Sequence, residues 1–176
     1  MIYESRYWKE PLLRAATWLE KLRARDETID ASLARVEREI FIGFYAIRKL
    51  LDTFKVSTST RKMTFGLLWS PCLGQIDYMN SHRIDELFDL GKSLTETRDI
   101  GFLCHQFVHS YVFLTVLGVE GELTGFYVSS DHSRSKKLYF ISLEQVLCAF
   151  RTAGRDYPKS LHVQRNSVTN QWEECG

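Results

Sequence analysis

A chain of 176 residues with 44% apolar and 26% charged side chains can bury about 70% of the surface its unfolded form exposes, and it needs neither disulfide nor metal to fold. Its formal net charge of +1 excludes a whole-molecule field that would draw it to nucleic acid or membrane, so any such surface must be a local patch. The four cysteines, Cys72, Cys104, Cys148 and Cys175, form no C-x-x-C pair, which argues against a zinc knuckle, and no apolar run approaches the ~20 residues of a spanning helix.

The amino terminus, MIYESRYWKEP, lacks the apolar stretch of a secretory signal, so a cytoplasmic setting with reduced thiols and no membrane contact is expected. Trp8, Leu12, Ala16, Leu19 and Leu22 recur at steps of three and four and predict a first helix, with Pro11 suited only to its first turn. Tyr3, Tyr7 and Trp8 suit the packing of this helix or a partner surface. A second, longer helix is predicted from Ile29, Leu33, Val36, Ile40, Phe44, Ile47, Leu51 and Phe54, capped by Asp26 or Thr28. Arg35, Glu37, Arg38 and Glu39 take its wet side. KVSTSTRK at 55–62 has no helical period and reads as a loop, and its hydroxyls lack the glycines of a nucleotide-binding turn. MTFGLLW at 63–69 predicts a short strand, ended by Pro71 and Gly74. RIDELFDL fits either a helical turn or a strand before a turn at Gly91.

A third helix is predicted from Thr95 to Leu117, with Leu103, Phe107, Tyr111, Leu114 and Leu117 as its stripe and Gly118 and Gly121 as its stop. LTGFYVSS and KKLYFISL then predict two strands joined by the polar turn DHSRS. LEQVLCAFRTAG predicts a short helix, and SLHVQRNSVTNQW a final hairpin or ragged strand. There is no internal repeat and no low-complexity segment. The expected organisation is one α+β domain over residues 1–176: an N-terminal bundle of about three helices to residue 120, then a small antiparallel β-sheet with one short helix over 121–176.

LCHQFVHS at 103–110 carries the clearest chemical pattern. Helical residues turn by about 100° each, which puts His105 and His109 one turn apart and Arg98 within about 20° of His105 on the same helix edge. The H-x-x-x-H spacing also occurs in zinc peptidases, but there a glutamate follows the first histidine as general base. Gln106 stands in that place and cannot take a proton at neutral pH, and only Cys104 and Asp99 lie near as further ligands. No metal and no cofactor is therefore expected. Imidazoles that titrate near neutrality beside a guanidinium that clamps a phosphate suffice for metal-independent RNA cleavage. The bland alternative is a pair of buried, hydrogen-bonded histidines with Arg98 paired to Glu96 or Asp99.

At these residues the chain resembles the HEPN superfamily, helical domains of toxin, antiviral and RNA-processing proteins. The family pattern is Arg, four to six residues, then His, with a polar residue after the Arg. RDIGFLCH supplies Arg98, Asp99 and His105 with six residues between Arg and His. CHQFVH gives a second alignment, with His105 in the polar place, His109 as the catalytic histidine and Cys104 where the arginine belongs. FYAIRKLLDTFKVS at 44–57 is similar to the long helix beside the motif helix, and the resemblance spans about residues 30–117. It implies a metal-free endoribonuclease acting as a homodimer, with Arg98, His105 and His109 as catalytic residues, or a degenerate non-catalytic relative.

Arg134, Lys136 and Lys137 in SSDHSRSKK group enough charge to hold a nucleic-acid backbone, or simply form a solvated hairpin tip. No G-x-S-x-G occurs, Ser110 points away from His109, and Cys104 diverges from His105 by about 100° on a helix. The sequence thus points to an RNA-directed protein, an endoribonuclease toxin or effector of a prokaryotic defence or toxin–antitoxin system with a cognate protein partner. Its alternative is a non-catalytic binding or regulatory module on the same helices.

Overall fold

The computed structural model describes residues 2–24, 29–160, 163–167, 169–170 and 172–174. The first two apolar stripes form helices α1 (Arg6–Lys21) and α2 (Ile29–Leu51). α1 buries Leu12, Ala15, Ala16 and Leu19, and α2 buries Val36, Ile40, Phe44, Ile47 and Leu50, each a single face at helical spacing. Pro11 lies inside α1, beyond its first turn. The carbonyl it leaves without a donor belongs to Tyr7, and both residues are exposed, so water can serve that oxygen. Residues 26 and 28, expected to cap α2, lie outside the described residues.

The loop expected at 55–62 contains one helical turn, α3 (Thr58–Arg61), capped by the Ser57 side chain. The hydroxyls there are engaged by Asp156, whose Oδ2 accepts from the Ser57 N–H at 2.7 Å and from the Ser57 and Thr60 hydroxyls. Strand β1 (Thr64–Pro71) follows, and the short helix α4 (Ile84–Leu87) resolves the ambiguous RIDELFDL stretch.

The third helix expected over Thr95–Leu117 is instead strand β2 (Leu94–Asp99), helix α5 (Ile100–Val108) and strand β3 (Ser110–Leu117). Asp99 marks the break at one end: its side chain accepts from the Phe102 N–H and caps α5. At the other end, SYVFLTVL is rich in β-branched and aromatic residues that fit a pleated surface, and its i, i+3 matches are a coincidence of an almost wholly apolar run. Strands β4 (Leu123–Ser130) and β5 (Lys137–Ser142), helix α6 (Leu143–Arg155) and the small pair β6 (Val163–Arg165) and β7 (Trp172–Glu174) complete the chain.

β1 to β5 form one five-stranded sheet in the order β2-β1-β5-β4-β3, antiparallel at every pairing. Phe65, Leu67, Phe126, Val128, Tyr139 and Ile141 turn to the helices and share one core with α1, α2, α5 and α6. On the opposite face Val112 and Leu138 pack under Leu87 and Phe88 of the β1–β2 connection. The architecture is therefore α+β, but not a three-helix bundle with a small sheet added. Three of the five strands come from the region expected to be mainly helical. The resemblance to the HEPN superfamily falls with that expectation, because those domains are all-helical and this chain is organised around an antiparallel sheet.

Candidate active site

The site forms where α5 ends and β3 begins. Ser110 of β3 pairs with Ser130 of β4, and the Asp131 N–H donates to the His109 carbonyl at 3.0 Å. The β4–β5 turn is thereby held against the C-terminal end of α5. Gln106 fastens it from within: this buried side chain accepts through Oε1 from the Ser130 N–H and the Ser133 hydroxyl, both at 3.0 Å. Three imidazoles gather as a result. The ring centre of His105 lies 4.9 Å from that of His109 and 5.5 Å from that of His132.

α2 supplies the cation. Phe44 stacks on Phe107 of α5 with ring centres 4.2 Å apart, which fixes the two helices against each other. Arg48 is one turn further along α2, and its Nη1 lies 3.0 Å from His109 Nε2. A guanidinium only donates, so Nε2 accepts and the His109 proton sits on Nδ1. Asp131 Oδ1 and His132 Nδ1 are 2.9 Å apart. The carboxylate accepts, so His132 donates through Nδ1 and keeps Nε2 for another partner. Burial, the rings of His109 and His132 and the Arg48 guanidinium push His105 below its ordinary value, with Asp131 acting against them. The hydrogen bond from His132 holds the Asp131 carboxyl below its own ordinary value. His105 is half-buried, whereas His109, Asp131 and His132 are exposed.

Of the residues singled out in the sequence, His105 and His109 come together, but Arg98 does not join them. It sits on β2, at the sheet edge opposite β3, because the chain is extended at residue 98 and helical only from Ile100. Arg98 donates to Glu96 at 3.0 Å and covers the Phe102 ring. Glu96 also accepts from Lys137 Nζ and Tyr139 Oη, each at 2.6 Å. Burial pushes Glu96 up, but the donors from Arg98, Lys137 and Tyr139 outweigh it and bring the carboxyl down to about 2.

The three residues of the basic trio make different contacts. Lys137 is ion-paired with Glu96, Arg134 stacks on the Tyr111 ring at 3.9 Å, and Lys136 is exposed. Cys104 is buried and its thiol is pushed up by that burial to about 12, which leaves no thiolate at neutral pH. Cys104 and Asp99, the nearest further metal ligands in sequence, are thus engaged in the core and in a helix cap. The groups that do approach one another are His105, Asp131 and His132, whose ligand atoms all lie within 4.8 Å of each other.

Sequence reasoning missed Arg48, Asp131 and His132. Arg48 carried a signal: a cation four residues after Phe44 lies on the apolar stripe of α2, not on its wet side. Asp131 and His132 lay in a turn weighed only for its positive charge. No family model matches the chain, and no curated protein and no solved structure matches it.

Proposed function

We propose that this cluster cleaves RNA by metal-independent acid–base chemistry. The observation that carries the proposal is the convergence of three imidazoles and one guanidinium on one solvent-facing place, drawn from α2, α5 and the β4–β5 turn. Arg48, and not Arg98, is the phosphate clamp, exchanging His109 Nε2 for a phosphate oxygen. His105, held unprotonated by its surroundings, accepts the proton of the 2′-hydroxyl as that oxygen attacks phosphorus. His132, oriented by Asp131, acts in its imidazolium form and gives its Nε2 proton to the departing 5′-oxygen, so that one ring ends the step protonated and the other neutral. The products are a 2′,3′-cyclic phosphate and a 5′-hydroxyl, and DNA, lacking the nucleophile, is not cut.

The purified protein is expected to cut single-stranded RNA in EDTA and leave cyclic phosphate ends. His105→Ala and Arg48→Ala should each lower kcat/KM by ~10²-fold or more, whereas Arg98→Ala should stay near wild type. Equal cutting by the His105→Ala/His132→Ala double variant would sink the proposal. RNA that binds without being cut would assign the surface to a non-catalytic binding module.

A further inference from the structure

We infer that His105, Asp131 and His132 form a binding site for a divalent transition-metal ion of the zinc class. Two imidazole nitrogens and one carboxylate oxygen are a donor set suited to zinc, copper or nickel and poorly suited to magnesium or calcium, which take oxygen ligands. The distances allow it. A point equidistant from three atoms no more than 4.8 Å apart lies within about 2.8 Å of each, so movements below about 1 Å reach bonds of about 2.0–2.2 Å. Asp131 is 53% and His132 80% exposed, so solvent leaves room for that movement, in which the bond between Asp131 Oδ1 and His132 Nδ1 is exchanged for bonds to the metal. The backbone beneath them is fixed. The Asp131 N–H is bonded to the His109 carbonyl, and Gln106 holds Ser130 and Ser133. Three protein ligands leave a fourth position facing solvent, the open coordination of an exchangeable site. Arg48 is the adverse charge nearby, and its contact with His109 keeps its guanidinium at that ring and outside the ligand set.

Metal bound here takes up nitrogens of both His105 and His132, so an occupied site has neither a base nor an acid. That consequence rests on the ribonuclease proposal; the binding itself does not. Zinc therefore acts as an off-switch and not as a cofactor.

Titration of the full chain with zinc, followed by calorimetry, is expected to give one saturable equivalent, and cobalt in its place should show visible ligand-field bands. His105→Ala, Asp131→Ala and His132→Ala should each weaken zinc binding by more than ~10-fold. His82, exposed on the β1–β2 connection and outside the cluster, is the control: His82→Ala should bind within a few-fold of wild type. Circular dichroism of each variant separates lost ligation from lost folding. Absence of a saturable equivalent, or unchanged affinity in the folded His105→Ala/His132→Ala variant, overturns the site. In the RNA assay, one equivalent of zinc should abolish cutting and EDTA restore it. Cutting that persists with the site filled overturns the shared use of the rings. A protein that binds zinc through these residues but cuts no RNA in EDTA sinks the ribonuclease proposal and leaves the metal site standing.

Discussion

One buried and one half-buried ionic residue test how single side chains hold this fold. Lys9 is fully buried, and its ammonium donates to the Lys55 and Asp156 carbonyls beneath the Tyr157 ring. Burial pushes its pKa below the usual lysine range. Lys9→Met keeps the volume but leaves both carbonyls without their donor. A loss of ~2–3 kcal/mol is expected from the urea midpoint. Glu96 is the second case. Its folded carboxyl titrates at about 2, below the ordinary 4.5, so its contribution is complete above pH 4.5 and disappears as pH falls towards 2. With the side chain 19% exposed, that contribution is ~2 kcal/mol after allowance for solvent screening. Glu96→Gln should be less stable than wild type at pH 7 and lose less on acidification, a difference that denaturant melts across the acid range will show.

At the scale of elements, α2 and α6 meet tightly at Gly43. A Cβ on Gly43 would lie 2.2 Å from Phe150 Cζ, so the helices meet there only because that position has no side chain. Gly43→Ala should cost ~1–3 kcal/mol by overpacking, and Gly43→Ala/Phe150→Leu should recover part of it in a double-mutant cycle. Which elements are legible in the sequence follows from how they are buried. α1, α2 and α6 each have one wet and one dry face, so helical periodicity shows in their residues. β4 and β5 are joined by a polar turn that marks the end of one and the start of the other. β2, α5 and β3 follow one another without a loop, and α5 and β3 are apolar nearly throughout, so periodicity has no contrast to work with and only the Asp99 cap betrays a boundary. The candidate site was half legible for the same reason. His105 and His109 are local neighbours, whereas Arg48, Asp131 and His132 join them only through the Phe44–Phe107 stack and the Ser110–Ser130 register.

For the whole molecule, the site draws on residues from 48 to 132, so it exists only when the helices and the sheet are assembled together. A ligand that binds there binds the native state alone, and at a hundred times its dissociation constant it should add about 2.7 kcal/mol, visible as a raised melting temperature. The strand order has a consequence for synthesis. β5 occupies the centre of the sheet, yet it is the last of its five strands to leave the ribosome. Until residues 137–142 emerge, the β1–β2 and β3–β4 ladders each present an unpaired inner edge, the kind of edge that recruits foreign strands. A nascent chain stalled at residue 136 is thus a natural client for a holding chaperone, and release of a few more residues converts two sticky halves into one closed sheet.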